Sequence, residues 1–249
     1  MLLAVFANFS ILFVIMGYSF LLKKIFFNKK KIKIENKDLL YGFLFIIFIS
    51  LIVNFFSPLN DVRIFFLIIG LVIFLFAAYN KIFKINYFSY FFIIVFTTFI
   101  AFYNGSNIDS PMYHLQIINW LNLHKISFGI SNLEIRFGFN SSWHSIIALL
   151  DLNIGKFSMK YYLSSIALSL VVYEVVRIKE KLNYSDIFLF LTISYLIFYS
   201  FLHPFANGVI LNHLGNPERD IVGMLFFFLT IYFFLKSLKI NFDQNNINL

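Results

Sequence analysis

The sequence predicts an all-α fold: a polytopic transmembrane bundle of about seven spans, with short interfacial helices in one large outward loop. Three observations predict it. The 249 residues are 60% apolar and only 13% charged, whereas a soluble domain is about 45–50% apolar and about 25% charged. Seven apolar runs approach or reach the roughly 17–25 residues that cross a hydrocarbon core of about 30 Å. The basic residues gather in alternate connections between those runs. So little polar surface cannot cover a water-facing globule, which excludes a soluble single domain and a disordered chain. The absence of Cys excludes a disulfide-stapled module, thiol chemistry and Cys-ligated metal sites.

The spans are expected over 1–22, 39–56, 64–80, 87–103, 158–176, 186–202 and 221–235, within one integral membrane domain covering 1–249. A cleaved signal peptide would carry its basic residues before the first apolar run. Here Lys23, Lys24, Lys29, Lys30, Lys31, Lys33 and Lys37 come after it, so the first run is read as a span. Lys81 and Lys84 follow span three; Arg177, Lys179 and Lys181 follow span five; Lys236 and Lys239 follow span seven. With seven spans, these fourteen of the twenty basic residues share one side. Arg63, Lys125, Arg136, Lys156, Lys160 and Arg219 occupy the other. The positive-inside rule then sets the N-terminus outside and the C-terminus in the cytoplasm, as in a multi-pass protein. The net charge of +8 belongs to this asymmetry, and membrane lipid, not nucleic acid, is the expected partner.

Residues 143–152, WHSIIALLDL, decide the parity of all that follows. As a helix they extend about 15 Å, half a bilayer core. Counting them as a span would also move Arg177, Lys179 and Lys181 outside, against the charge rule. They are expected as a re-entrant or surface-lying helix, which needs protein or a water-filled cavity to cover it.

Outward loop 104–157 is the longest stretch between spans, and its recurring aromatic and aliphatic residues argue against disorder. Asp109 or Ser110 reads as an N-cap, with Pro111 at the first helical position. On the helix that follows, Gln116, Asn119 and Asn122 form a narrow polar stripe. Tyr113, Ile117, Trp120 and Leu121 cover much of the remainder, a balance that suits the membrane interface. Asp109 has a plain role as a helix cap. It has a chemical one as a carboxylate at the rim of a membrane cavity, deprotonating an acceptor hydroxyl or holding a divalent cation. His114 and His144, each taken alone, are more often hydrogen-bonded structural residues than ligands. The second outward segment, 203–220, ends in Asn216-Pro217-Glu218-Arg219-Asp220. Asp220 or Glu218 can stabilise the N-terminus of span seven. Alternatively, Asp220 supplies a second carboxylate facing the Asp109 loop, and Arg219 a bidentate partner for phosphate.

Asp109, then Tyr113-His114-Leu115-Gln116 and Trp120, then Asn132-Leu133 and the run Arg136-Phe137-Gly138-Phe139-Asn140-Ser141-Ser142-Trp143, carry a resemblance. They resemble a family of uncharacterised bacterial multi-spanning membrane proteins with a YHLQ…W segment followed by R-(L/F)-G-F-N-S-S-W. That family is similar in layout to the GT-C glycosyltransferases, polytopic enzymes with an acidic residue in the first large outward loop. The resemblance implies transfer of a sugar from a polyprenyl-phosphate donor at the outer face of the membrane. It implies catalytic roles for Asp109, His114 and Asp220, with Mg²⁺ or Mn²⁺ as the metal that Asp109 could hold. Arg136 and Arg219 would neutralise the phosphate leaving group, and Asn140, Trp143 and His144 would line the sugar or acceptor pocket. GT-C enzymes usually have more spans, and in many of them the acidic loop follows the first span. The competing expectations are a transporter or flippase of lipid-linked sugar and a non-catalytic assembly subunit. A flippase needs ionisable groups inside its spans. Glu174 falls inside one, near its cytoplasmic end, while polar groups gather in the outward loops.

Overall fold

A computed structural model describes residues 1–27, 32–103, 110–127, 129, 132, 141–154, 157–177, 184–202 and 220–237. Apolar runs become helices because a helix satisfies its own backbone hydrogen bonds wherever water is excluded. In order, these are α1 (Leu2–Phe27), α2 (Asn36–Phe56), α3 (Leu59–Tyr79), α4 (Tyr87–Tyr103), α5 (Leu115–Leu123), α6 (Ser142–Leu150), α7 (Leu163–Val176), α8 (Tyr184–Leu202) and α9 (Asp220–Ser237). A π-helical turn, Ser110–His114, leads into α5. Asn153–Ile154 (β1) and Phe157–Ser158 (β2) form a short antiparallel ladder.

Three helical stretches, Leu2–Phe26, Asn36–Phe56 and Leu59–Tyr79, are long and apolar enough to cross a membrane. Shorter apolar helices cover Tyr87–Phe102, Leu163–Val176, Ser185–Tyr195 and Val222–Ser237 among the described residues. Large apolar side chains such as Phe65, Phe88 and Leu75 face outward from them. A surface of this kind suits lipid, not water. The chain is an all-helical membrane protein.

Helix α1 lies centrally and packs on α2, α3, α4 and α7. Small residues allow the closest approaches: a Cβ on Gly17 would stand 2.0 Å from the Gly70 carbonyl oxygen of α3. Helices α1–α4 and α7–α9 alternate in direction, as the contacts at one end show. Lys23, near the C-terminal end of α1, pairs with Asp38 at the start of α2 at 2.7 Å. Ile34 bridges to Phe83 in the α3–α4 connection. The Asn86 N–H, just before α4, donates to the Tyr173 hydroxyl on α7 at 3.0 Å. Asn36 donates to Glu174, also on α7, at 2.5 Å, and accepts from the Tyr90 hydroxyl. In the last pair, Tyr232 near the end of α9 donates to Asp186 near the start of α8 at 3.1 Å. All these contacts lie at what is here termed the lysine-rich end.

Three elements differ from the sequence expectation, α1 by running on to Phe27, five residues past its expected end. The run 158–176 begins its α-helix only at Leu163. Asp151 accepts from Asn153 and Ser158, each at 2.9 Å, and so ties 151–158 into a hairpin that a 3₁₀ turn, Met159–Tyr161, continues. Helix α3 begins at Leu59, five residues before its expected start, and so takes Arg63 into its first turns.

Candidate functional site

The half-length stretch becomes α6, nine residues capped by the Ser141 hydroxyl, which accepts from the Trp143 N–H at 3.2 Å. Every residue from Trp143 to Leu150 is buried. The helix packs on α2, α3 and α5, so protein supplies the cover that a non-spanning helix needs. Its direction follows from its neighbours. Trp143 lies against Phe43, about 10 Å along α2 from Asn36, with ring centroids 6.2 Å apart. The Ala148 carbonyl reaches Arg63, near the opposite end of the bundle. The N-terminus of α6 therefore points into the interior and its C-terminus toward the end away from the lysines.

Arg63 fixes that outer end. Its Nε and Nη2 donate to the Ala148 carbonyl at 3.2 and 2.9 Å, and Nη2 also donates to Asn122 Oδ1 of α5. A guanidinium at the C-terminal carbonyls of α6 meets the negative end of the helix dipole. Asp151, just beyond α6, is buried and 3.5 Å from Lys160, whose Nζ also donates to Asn119 at 2.7 Å. Asn54 of α2 donates to the Leu121 and His124 carbonyls, each at 3.2 Å, and so holds the C-terminal end of α5. The polar stripe of α5 thus serves protein contacts as well as the surface: Asn122 is buried with Ile117, Ile118 and Leu121.

At the inner end of α5 and α6, His114 Nδ1 and His144 Nε2 stand 2.9 Å apart, with both imidazoles buried. One nitrogen must donate and the other accept, so the pair holds at least one neutral ring. Tyr113 stacks beside His114 with centroids 4.0 Å apart. The residues on either side of His144 in α6 carry polar atoms of another kind. Among the described residues, the Trp143 indole N–H and the Ser145 hydroxyl are buried without a hydrogen-bond partner. A buried donor left unsatisfied costs about 1–3 kcal/mol, so such groups are commonly kept for a ligand or water.

Of the expected site residues, the fold thus brings His114 to His144, while Trp143, the residue before His144, packs against Phe43. Asp109, Arg136, Asn140 and Arg219 lie outside the described residues, as does the expected convergence of Asp109, Asp220 and Arg136. Asp220 is described only as the first residue of α9. No group of three or more His, Cys, Asp or Glu side chains could hold a metal among the described residues. Sequence reading passed over Arg63 and Ser145 as site-building residues. Pro58 followed by Asp61 is a helix-start signal that would have drawn Arg63 into α3.

These features define a class: a helical membrane protein with a buried half-length helix that presents an imidazole pair. Over residues 1–249 the chain matches the family described as "Domain of unknown function (DUF8201)", and it belongs to that family. No curated protein and no solved structure matches it.

Proposed function

We propose that this protein is a membrane glycosyltransferase of GT-C-like layout, moving a sugar from a polyprenyl-phosphate donor to an acceptor at the outer face of a bacterial inner membrane. The proposal includes seven spans, α1–α4 and α7–α9, with the N-terminus outside and the C-terminus in the cytoplasm. The observation that carries the reading is the 2.9 Å contact between His114 and His144. It joins the YHLQ segment to the FNSSWH segment, the two halves of the motif on which the resemblance rests. The unpartnered Trp143 N–H and Ser145 hydroxyl, on the residues that adjoin His144 in sequence, suit a hydroxyl-rich ligand.

In this reading Asp109 is the general base, or the ligand of Mg²⁺ or Mn²⁺, and His114 relays its proton to His144. Asp220 is a second carboxylate of the site. Arg136 and Arg219 neutralise the departing lipid phosphate, which then needs little acid assistance. Asn140, Trp143 and His144 contact the sugar or acceptor. A flippase would need ionisable groups along a path through the bundle. The buried carboxylates and guanidinium among the described residues lie toward its two ends, Asp38, Glu174 and Asp186 at one and Arg63 and Asp151 at the other, with the imidazoles of His114 and His144 between them.

The test is incubation of the purified protein with a panel of polyprenyl-phosphate sugars, with and without Mg²⁺ or Mn²⁺. Turnover is expected with at least one donor. Loss of a general base lowers rates about 10²–10⁴-fold, so Asp109→Asn should lose turnover while the protein stays folded and lipid-bound. Unchanged turnover in that variant would refute the assignment, and transport without transfer would favour the flippase.

A further inference from the structure

The lysine-rich end carries a feature that the proposed reaction does not use. The α1–α2 and α3–α4 connections are pinned to each other by main-chain hydrogen bonds. The Ile34 N–H donates to the Ile82 carbonyl at 3.0 Å, and the Lys84 N–H to the Ile34 carbonyl at 2.8 Å. Lys23 Nζ holds the Lys33 carbonyl at 2.8 Å. Ile34 is fully buried beneath this clip, and Phe83 packs on Phe74 with centroids 5.5 Å apart. The clip fixes the backbone of Lys33, Lys81 and Lys84 on one rigid surface, next to Lys24 at the end of α1. All four side chains are exposed.

Their charge is uncompensated among the described residues. Asp38 pairs with Lys23 at 2.7 Å, and Glu35 stands 3.8 Å from Lys37. Glu174 lies 3.9 Å from Arg177, and Asp186 lies 3.8 Å from Lys236. Among the described residues no carboxylate is left for Lys24, Lys33, Lys81 and Lys84. The opposite end is built differently: Arg63 and Lys160 are committed to protein partners, leaving Lys125 as the exposed cation described there. Lys81 takes a left-handed backbone, φ 49°, at the C-terminus of α3, where glycine is the usual residue. Exposed rings accompany the lysines at the same level: Phe26, Tyr79, Tyr87 and Phe88. Aromatic rings beside lysines at the ends of apolar helices are the composition of a headgroup-level belt.

We propose that the clip of Lys33, Lys81 and Lys84, with Lys24, is a binding surface for anionic phospholipid headgroups. The ammonium groups meet the phosphodiesters while the rings seat at the acyl boundary. The inference is independent of the glycosyl-transfer reading. Each lysine near an anionic surface contributes about fivefold in binding, so three contribute roughly a hundredfold.

The experiment titrates the purified full chain in detergent with dioleoyl-phosphatidylglycerol or dioleoyl-phosphatidylcholine, and reads bound lipid by native mass spectrometry. The anionic lipid should bind preferentially, and weaken as salt rises to about 1 M, where screening acts within about 3 Å. Lys33→Gln/Lys81→Gln/Lys84→Gln should lose most of that preference, because the clip itself is main-chain. Lys125→Gln should keep it. If the triple variant is not monodisperse, Lys81→Gln and Lys84→Gln alone should each cost about fivefold. Equal binding of the two lipids, or the same loss in Lys125→Gln, would overturn the proposal.

Discussion

Arg63→Met tests whether one buried guanidinium holds the half-length helix in place. The substitution keeps an unbranched side chain and removes every donor. It strands the Ala148 carbonyl, which accepts at 2.9 and 3.2 Å, and Asn122 Oδ1, and it removes one of the two positive charges near buried Asp151, Lys160 at 3.5 Å being the other. Removing one partner from a buried charged cluster costs about 3–5 kcal/mol. For a chain of this size that corresponds to about 6–20 °C in melting temperature. Trp fluorescence in a fixed detergent is a suitable probe, because Trp143 sits on the helix that Arg63 anchors. A fall below about 2 °C would refute the idea that Arg63 sets the position of α6.

Further outcomes are expected. Gly17→Ala should destabilise by about 1–3 kcal/mol, since its methyl carbon would stand 2.0 Å from the Gly70 carbonyl oxygen. Gly223→Ala should be tolerated, because nothing lies within 4 Å of its added carbon; thermal melts of both variants compare them directly. Asn36→Leu leaves Glu174 and Tyr90 without their shared amide and should cost about 1–3 kcal/mol, read by the same melts. Glu174→Gln retains an acceptor for Asn36 and should cost less. Trp143→Phe removes an unsatisfied indole N–H and should leave the melting temperature nearly unchanged. It should also weaken substrate binding about tenfold, the worth of one hydrogen bond, in a titration with the donor that turns over.

The helices were legible because each apolar run maps directly onto one. The short run 143–152 announced by its length alone that it needed cover. What covers it was not legible. The partners of α6 come from α2, α3 and α5, distant in sequence, and no local pattern ties Arg63 to a carbonyl 85 positions later. The contact between His114 and His144 spans 30 positions, and periodicity within either segment carries no trace of it. The late start of α7 was hidden for a related reason. Residues 158–162 adjoin an apolar run, yet Asp151 holds Ser158 in a hairpin through a side-chain bond that hydropathy does not register, and Met159–Tyr161 turn as a 3₁₀ helix. Of the expected site, the two histidines came together as neighbours, whereas the acidic and arginine positions fall on segments outside the described residues, save Asp220 at the start of α9.

The order of the covering helices along the chain has a consequence for biogenesis. A stretch of nine residues is too short for the insertion machinery to hand to lipid as a span of its own. The three helices that enclose it, α2, α3 and α5, are all translated earlier, so its cradle precedes it out of the ribosome. Swapping that order by circular permutation would present the same nine residues before anything could shelter them.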